Sequence, residues 1–310
     1  KEGNLIGETK FLYNENDQIE EESNFIFGNL NITTYHYYYK NGQKKSVSNV
    51  KDGKGIGKNT QWYENGQIER EEIYKEGKKD GNFTYWFPNG YIDNEMYYVD
   101  DKIKKKSIFK LGIRTKEYLY DENGQTLEEL NYKDDNLVGE TYYKYYKNGQ
   151  KLSVFNSKNG KKDGKHIEWY ENGEKKFEQN FKNGQMDGNQ KWWHENGQLK
   201  VQSNNKNRWI NGNYTSWYEN GKKKIEQNFK DRKQVGKHIE WYENGEKKFE
   251  TIYIDGKKDG KYIEWYESGK KKIEKNFKKG QLDGKLTWWY ENGLVKIESN
   301  YKNGKLSSTN

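Results

Sequence analysis

Residues 164–187 read GKHIEWYENGEKKFEQNFKNGQMD, and residues 236–259 return them almost letter for letter as GKHIEWYENGEKKFETIYIDGKKD. Each copy holds two short runs, HIEWY and KKFEQNF, separated by Glu-Asn-Gly and followed by an Asn-Gly or Asp-Gly turn ending near a second Asp-Gly. Runs of five to seven residues are too short for stable helices, and no 3.6-residue stripe is present. Asn and Gly both tolerate positive φ, which tight hairpin turns require. The unit therefore reads as a β-hairpin.

Working outward, the turn residue falls at Asp17, Gly42, Gly66, Gly90, Gly124, Gly149, Gly173, Gly197, Gly221, Gly245, Gly269 and Gly293. The gaps are 25, 24, 24, 34 and 25, then 24 to the end. About twelve hairpins at a 24-residue period mark a repeat architecture. One hairpin is marginal in water, so stability must come from neighbours burying one another's stripe. The fold class is all-β: an elongated array of antiparallel hairpins forming one long twisted sheet or open groove.

Register follows from the loop. A three-residue Glu-Asn-Gly loop with left-handed Gly gathers Ile167, Trp169, Phe177 and Phe181 on one face, with Glu168, Tyr170, Lys176 and Glu178 on the other. A two-residue Asn-Gly loop would instead bring Tyr170 beside Phe177. The first is preferred because it collects more apolar groups.

Three departures stand out. The 34-residue gap holds about ten extra residues, which divides the array into N-terminal repeats over residues 1–101, an irregular insertion or bend over 102–116, and C-terminal repeats over 117–310. The first residues, KEGNLIG, align with the tail of a unit, so the chain opens inside a repeat. The last four, 307–310, lose the pattern and read as a polar terminus.

Composition agrees with a thin aromatic core. Only 30% of the 310 residues are hydrophobic, and 34% are charged. The hydrophobic share is well under the usual level of about 45–50%, which alone would suggest disorder. Twenty-seven Tyr, 11 Trp and 12 Phe argue for a packed structure. Cysteine is absent, which removes disulfides and thiolate metal sites. No apolar run approaches the roughly 20 residues of a membrane span. No signal peptide is visible at Lys1. A secreted or cell-surface setting is favoured over the cytoplasm. The Lys-, Asn-, Ile- and Tyr-rich usage resembles that of AT-rich genomes.

The pattern G-x-x-x-x-W-Y-E-N-G-x-x-K-x-E-x-x-[FY]-K-x-G-x-x-D-G resembles the MORN-type repeat. It is carried by Gly57, Trp62, Tyr63, Asn65, Gly66, Tyr74, Asp80 and Gly81, and again by Gly260, Trp265, Tyr266, Gly269, Phe277, Asp283 and Gly284. The resemblance is best to the bacterial variant found in proteins labelled as the YwqK-like antitoxin family. It implies successive antiparallel hairpins in a long twisted sheet, serving as a scaffold.

No catalytic, cofactor-binding or metal-binding residues are assigned. His166 and His238 share one slot in two repeats and read as solvated strand residues, and His194 occupies a slot that elsewhere holds Tyr. Glu171 and its repeats, and the Asp-Gly pairs Asp187–Gly188 and Asp283–Gly284, read as turn chemistry. The Trp row (Trp169, Trp193, Trp217, Trp241, Trp265, Trp289) reads as core. Candidate partner-binding aromatics are the adjacent row Tyr170, Tyr218, Tyr242, Tyr266 and Tyr290, with the off-row Trp192, Trp209 and Trp288. A basic patch is formed by Lys102, Lys104, Lys105 and Lys106.

The function expected is a non-catalytic scaffold for protein–protein interaction through an aromatic and charged sheet face. Alternatives are a cell-surface carbohydrate or cell-wall binder, and association with an anionic membrane surface permitted by the net charge of +8. The expected partner is another protein, with carbohydrate and self-association as further options; nucleic acid is not expected.

Overall fold

The computed structural model describes residues 7–26 and 29–309. They form twenty-nine strands and no helix, with antiparallel pairing between successive strands, the two-residue strands Lys54–Gly55, Lys257–Lys258 and Gln281–Leu282 each being the first part of an interrupted strand. The chain divides into two compact units, Lys1–Tyr142 and Tyr143–Asn310. The end strands Gly7–Tyr13 and Lys305–Thr309 each pair on one side only among the described residues. The expected opening inside a repeat falls on the residues before Gly7 and lies outside the described residues. The expected polar terminus is instead mostly strand, since Lys305–Thr309 pairs with Val295–Lys302.

In the unit Tyr143–Asn310, the loop is the three-residue one. Tyr170 N–H donates to Glu174 O at 2.8 Å and Gly173 N–H to Tyr170 O at 3.0 Å. Gly173 sits at φ 90°, a conformation that costs any residue with a Cβ.

The faces differ from expectation. Glu168 lies opposite Phe177 but Trp169 lies opposite Lys175, so Lys176 is an extra, bulged residue. The bulge moves the second strand by one position relative to the first. Phe177 and Phe181 therefore share a face with His166 and Glu168, whereas Ile167 faces Glu178. The same bulge recurs at Lys200, Lys224, Lys248, Lys272 and Lys296.

This shift also corrects the histidines. His166 and His238 are not solvated: each is 8% exposed, on the sheltered face. The His166 ring meets Phe177 edge-on at 4.8 Å and Phe155 at 5.7 Å. Tyr262 takes the same slot and stacks on Phe249 at 5.6 Å. The Trp row is half-buried rather than enclosed. Opposite the sheltered face, Glu178 is paired by Lys165 at 3.3 Å and Lys175 at 2.9 Å, and Glu250 is held likewise by Lys237 and Lys247.

In the unit Lys1–Tyr142, the 34-residue gap is explained by strand count. Two strands normally separate successive Asn-Gly turns. Between the turns at Gly90 and Gly124 there are three: Ile92–Val99, Lys102–Lys110 and Ile113–Tyr120. An odd strand sends the next Asn-Gly turn to the other edge of the sheet. It also exchanges the faces. Phe83 continues across the ladder through Met96 and Lys106 to Tyr118, whereas Thr84 continues through Glu95 and Ser107 to Glu117. Phe83 and Glu117 occupy the same repeat slot, seven residues before their turn glycines, yet lie on opposite faces. Both are sheltered, at 0% and 7% exposure.

Candidate interaction surface

The tyrosine row has a structural use. The Tyr170 hydroxyl donates to the carbonyl of Trp193 at 3.0 Å, in the next repeat. Tyr218 reaches Trp241 O at 2.8 Å, Tyr242 reaches Trp265 O at 2.9 Å and Tyr266 reaches Trp289 O at 2.8 Å. His194 fills the slot as its aromatic position implied, with Nε2 3.2 Å from Trp217 O. Burial raises the pKa of Tyr218 and Tyr242, which keeps each phenol a donor. Tyr290 makes no such bond among the described residues and is 49% exposed.

The turn asparagines make a second ladder. Asn220 Oδ1 accepts from Lys222 N–H within its own turn at 3.0 Å, while its amide donates to Glu243 O of the next turn, also at 3.0 Å. Asn172, Asn196 and Asn244 do the same. At the other edge, Asp163 and Asp259 accept backbone N–H groups of Asn183 and Lys279, some twenty residues on. At about 0.5–1.5 kcal/mol net per bond, two or three such bonds contribute about 2–3 kcal/mol to a repeat junction. These bonds link residues about one period apart, and pairing Tyr with the residue before the next Tyr could have revealed them from the sequence.

The off-row tryptophans are less uniform. Trp209 is 52% exposed, with the Arg232 guanidinium 4.7 Å above its ring. Trp288 is half-buried beneath the Lys296 ammonium at 4.0 Å. Trp192 lines a groove of about 520 Å³ on the sheltered face. The basic patch is largely paired: Lys104 Nζ lies 2.7 Å and Lys102 Nζ 3.7 Å from Glu122, and Lys105 Nζ 3.0 Å from Glu117. Lys106 has no carboxylate partner among the described residues.

The sheltered ionisable groups serve the packing. Burial, reinforced by Lys162 and Lys144, lowers the His166 pKa to about 4, so the ring is neutral at pH 7. Its Nδ1 lies 3.0 Å from Lys162 Nζ and accepts from that ammonium, which leaves Nε2–H directed toward Glu168 at 3.6 Å. Lys162 itself sits between the Phe155 and Phe181 rings at 5.2 Å from each. Among the described residues, no cluster of His, Asp and Glu is arranged to hold a metal ion. No helix among them is long and apolar enough to cross a membrane.

Such geometry defines a class: an all-β repeat scaffold in which successive hairpins, as at Tyr170–Trp193 and Asp163–Asn183, are bonded to one another at both edges of the sheet. A family model described as a MORN repeat variant matches residues 56–76, 116–134, 162–183, 186–207, 210–231, 234–255, 258–279 and 282–303. The chain belongs to this family of MORN repeat variants. No curated protein matches it.

Proposed function

We propose that the chain is a non-catalytic scaffold that binds another protein through an exposed aromatic and charged sheet face. One observation carries this reading. Polar groups such as Tyr218 and Asn220 that recur along the array are engaged in joining repeats, while rings such as Trp209 and Tyr290 stay 52% and 49% exposed. Large rings with few rotatable bonds give contact area at low entropic cost.

The test is affinity capture by the full chain from an extract of its source, with Trp209→Ala and Tyr290→Ala in parallel. Retention of a defined protein, weakened in the variants, is expected. A chain that retains no protein above background, but binds glycans on an array through the same rings, would replace this reading with carbohydrate recognition.

A further inference from the structure

One repeat departs from its neighbours at the sheltered face. Where other units carry Phe177 and Phe181, Phe249 and Tyr253, or Ile273 and Phe277, this unit carries Val201 and Asn205. In the slot of His166, His238 and Tyr262 it has Gln190. Bulk is thus missing at Val201 and Asn205, and the groove of about 520 Å³ opens over them, walled by Met186, Trp192, Ile210 and Tyr214. A second depression of about 320 Å³ continues from it, sharing Lys200, Val201 and Tyr214. The two together extend across successive strands.

The charge pattern changes at the same place. In three other repeats the bulged lysine has a carboxylate opposite: Lys176 with Glu168 at 3.8 Å, Lys248 with Glu240 at 3.9 Å and Lys272 with Glu264 at 2.8 Å; Lys224 and Lys296, beside Ser216 and Trp288, have none within 4.0 Å among the described residues. In this repeat the carboxylate is replaced by Trp192, and Lys200 has no carboxylate within 4.0 Å among the described residues. The first depression is lined by Lys176 and Lys200 and by no acidic residue. Glu219 and Glu243 line only the second, together with Lys224. On the floor, the Ser203 hydroxyl donates to Asn205 Oδ1 at 3.0 Å. The Asn205 amide N–H groups keep no partner among the described residues, although the residue is only 9% exposed.

We infer that this groove is a docking site for an acidic peptide segment of a partner protein. A large apolar side chain of the peptide supplies the bulk that the repeat lacks, seated between Trp192 and Tyr214 over Val201. A neighbouring carboxylate meets Lys200, and a main-chain carbonyl accepts from the Asn205 amide. An unpaired ammonium beside an apolar cavity favours a ligand with a carboxylate next to an apolar group. Extension over two contiguous depressions favours a chain over a compact molecule. This assignment rests on the scaffold reading above.

The experiment is selection of random octapeptides on the full chain, followed by fluorescence anisotropy with the leading peptide. The expected sequences place Asp or Glu beside Phe, Trp or Leu. Val201→Phe and Asn205→Phe copy Phe177 and Phe181 of the neighbouring repeat and fill the groove; each should weaken the peptide at least about tenfold, as should Lys200→Glu. Two independent filling variants guard against one that fails to fold, and circular dichroism checks both. Lys248→Glu, at the equivalent lysine of another repeat, should leave binding within about twofold. Selection of basic peptides, no enrichment, or affinity indifferent to both filling variants overturns the inference. So does binding of phosphatidylserine vesicles or of 3-phenylpropionate, lost on filling, with no peptide selected. Capture of the native partner is measured on the same variants. If capture persists while no acidic peptide is selected, the groove assignment falls and the scaffold stands; if capture is absent too, both fall.

Discussion

Acidification should loosen the unit Tyr143–Asn310 through His166. The ring is 8% exposed, contacts Phe155 and Phe177, and accepts from the Lys162 ammonium, so a proton on Nδ1 would set two cations 3.0 Å apart. Its folded pKa is about 4 against 6.5 for a free histidine. The unfolded chain therefore binds more protons between these values. The stability contributed by the neutral ring is complete above about pH 6.5 and is lost as pH falls toward 4. Each pKa unit corresponds to about 1.4 kcal/mol, so at pH 4.5 the loss from this one group is about 2.5 kcal/mol. His166→Phe copies Phe83 in the equivalent slot and removes the titration. Urea unfolding followed by Trp fluorescence at pH 7 and 4.5, with hydrogen exchange over residues 164–181, reads the difference. The acid-induced loss in the variant should be smaller than in the natural chain by about 2 kcal/mol. His238, whose pKa burial also lowers, still contributes in both. Equal acid sensitivity of the two proteins would refute the reasoning.

Other perturbations address the junctions. Tyr218→Phe removes the bond to Trp241 O. It should cost about 1 kcal/mol in urea unfolding, whereas Tyr290→Phe should stay within about 0.5 kcal/mol. Asn220→Ala loses both the turn bond and the bond to Glu243 O. By the same assay that loss should cost about 1–2 kcal/mol. Gly173 holds φ 90°, where a Cβ is strained. Gly173→Ala should therefore cost about 1–2 kcal/mol, with Gly173→Asn milder because Asn tolerates the left-handed region; thermal melts rank the two.

The sequence made the period, the hairpins and the loop legible, because Asn-Gly at fixed spacing has few conformational solutions. It hid the faces. A bulge at Lys176 leaves no mark in a Lys-Lys pair, yet it moves Phe177 from the side of Ile167 to the side of His166. Simple alternation puts His166 and His238 on the wet side, and the extra residue in the partner strand is what places them among the rings. The Tyr row was visible, but its role was not: an amphipathic ring beside Lys and Glu looks the same whether its hydroxyl meets water or Trp193 O. The groove lay in departures that matter only once Val201, Asn205 and Gln190 are known to share a face.

The strand Lys102–Lys110 gives the unit Lys1–Tyr142 a parity. Adding or removing a whole repeat leaves the frame of a hairpin array intact, but a half repeat inverts it. Hairpins before and after this strand can nonetheless be spelled alike, because edge and face are exchanged together: Phe83 and Glu117 fill the same slot and each lies on its locally sheltered side. A whole hairpin moved across the strand would still deliver its slot residue to shelter, so it is the half repeat alone, and not the wording of the modules, that decides which side of the sheet is covered.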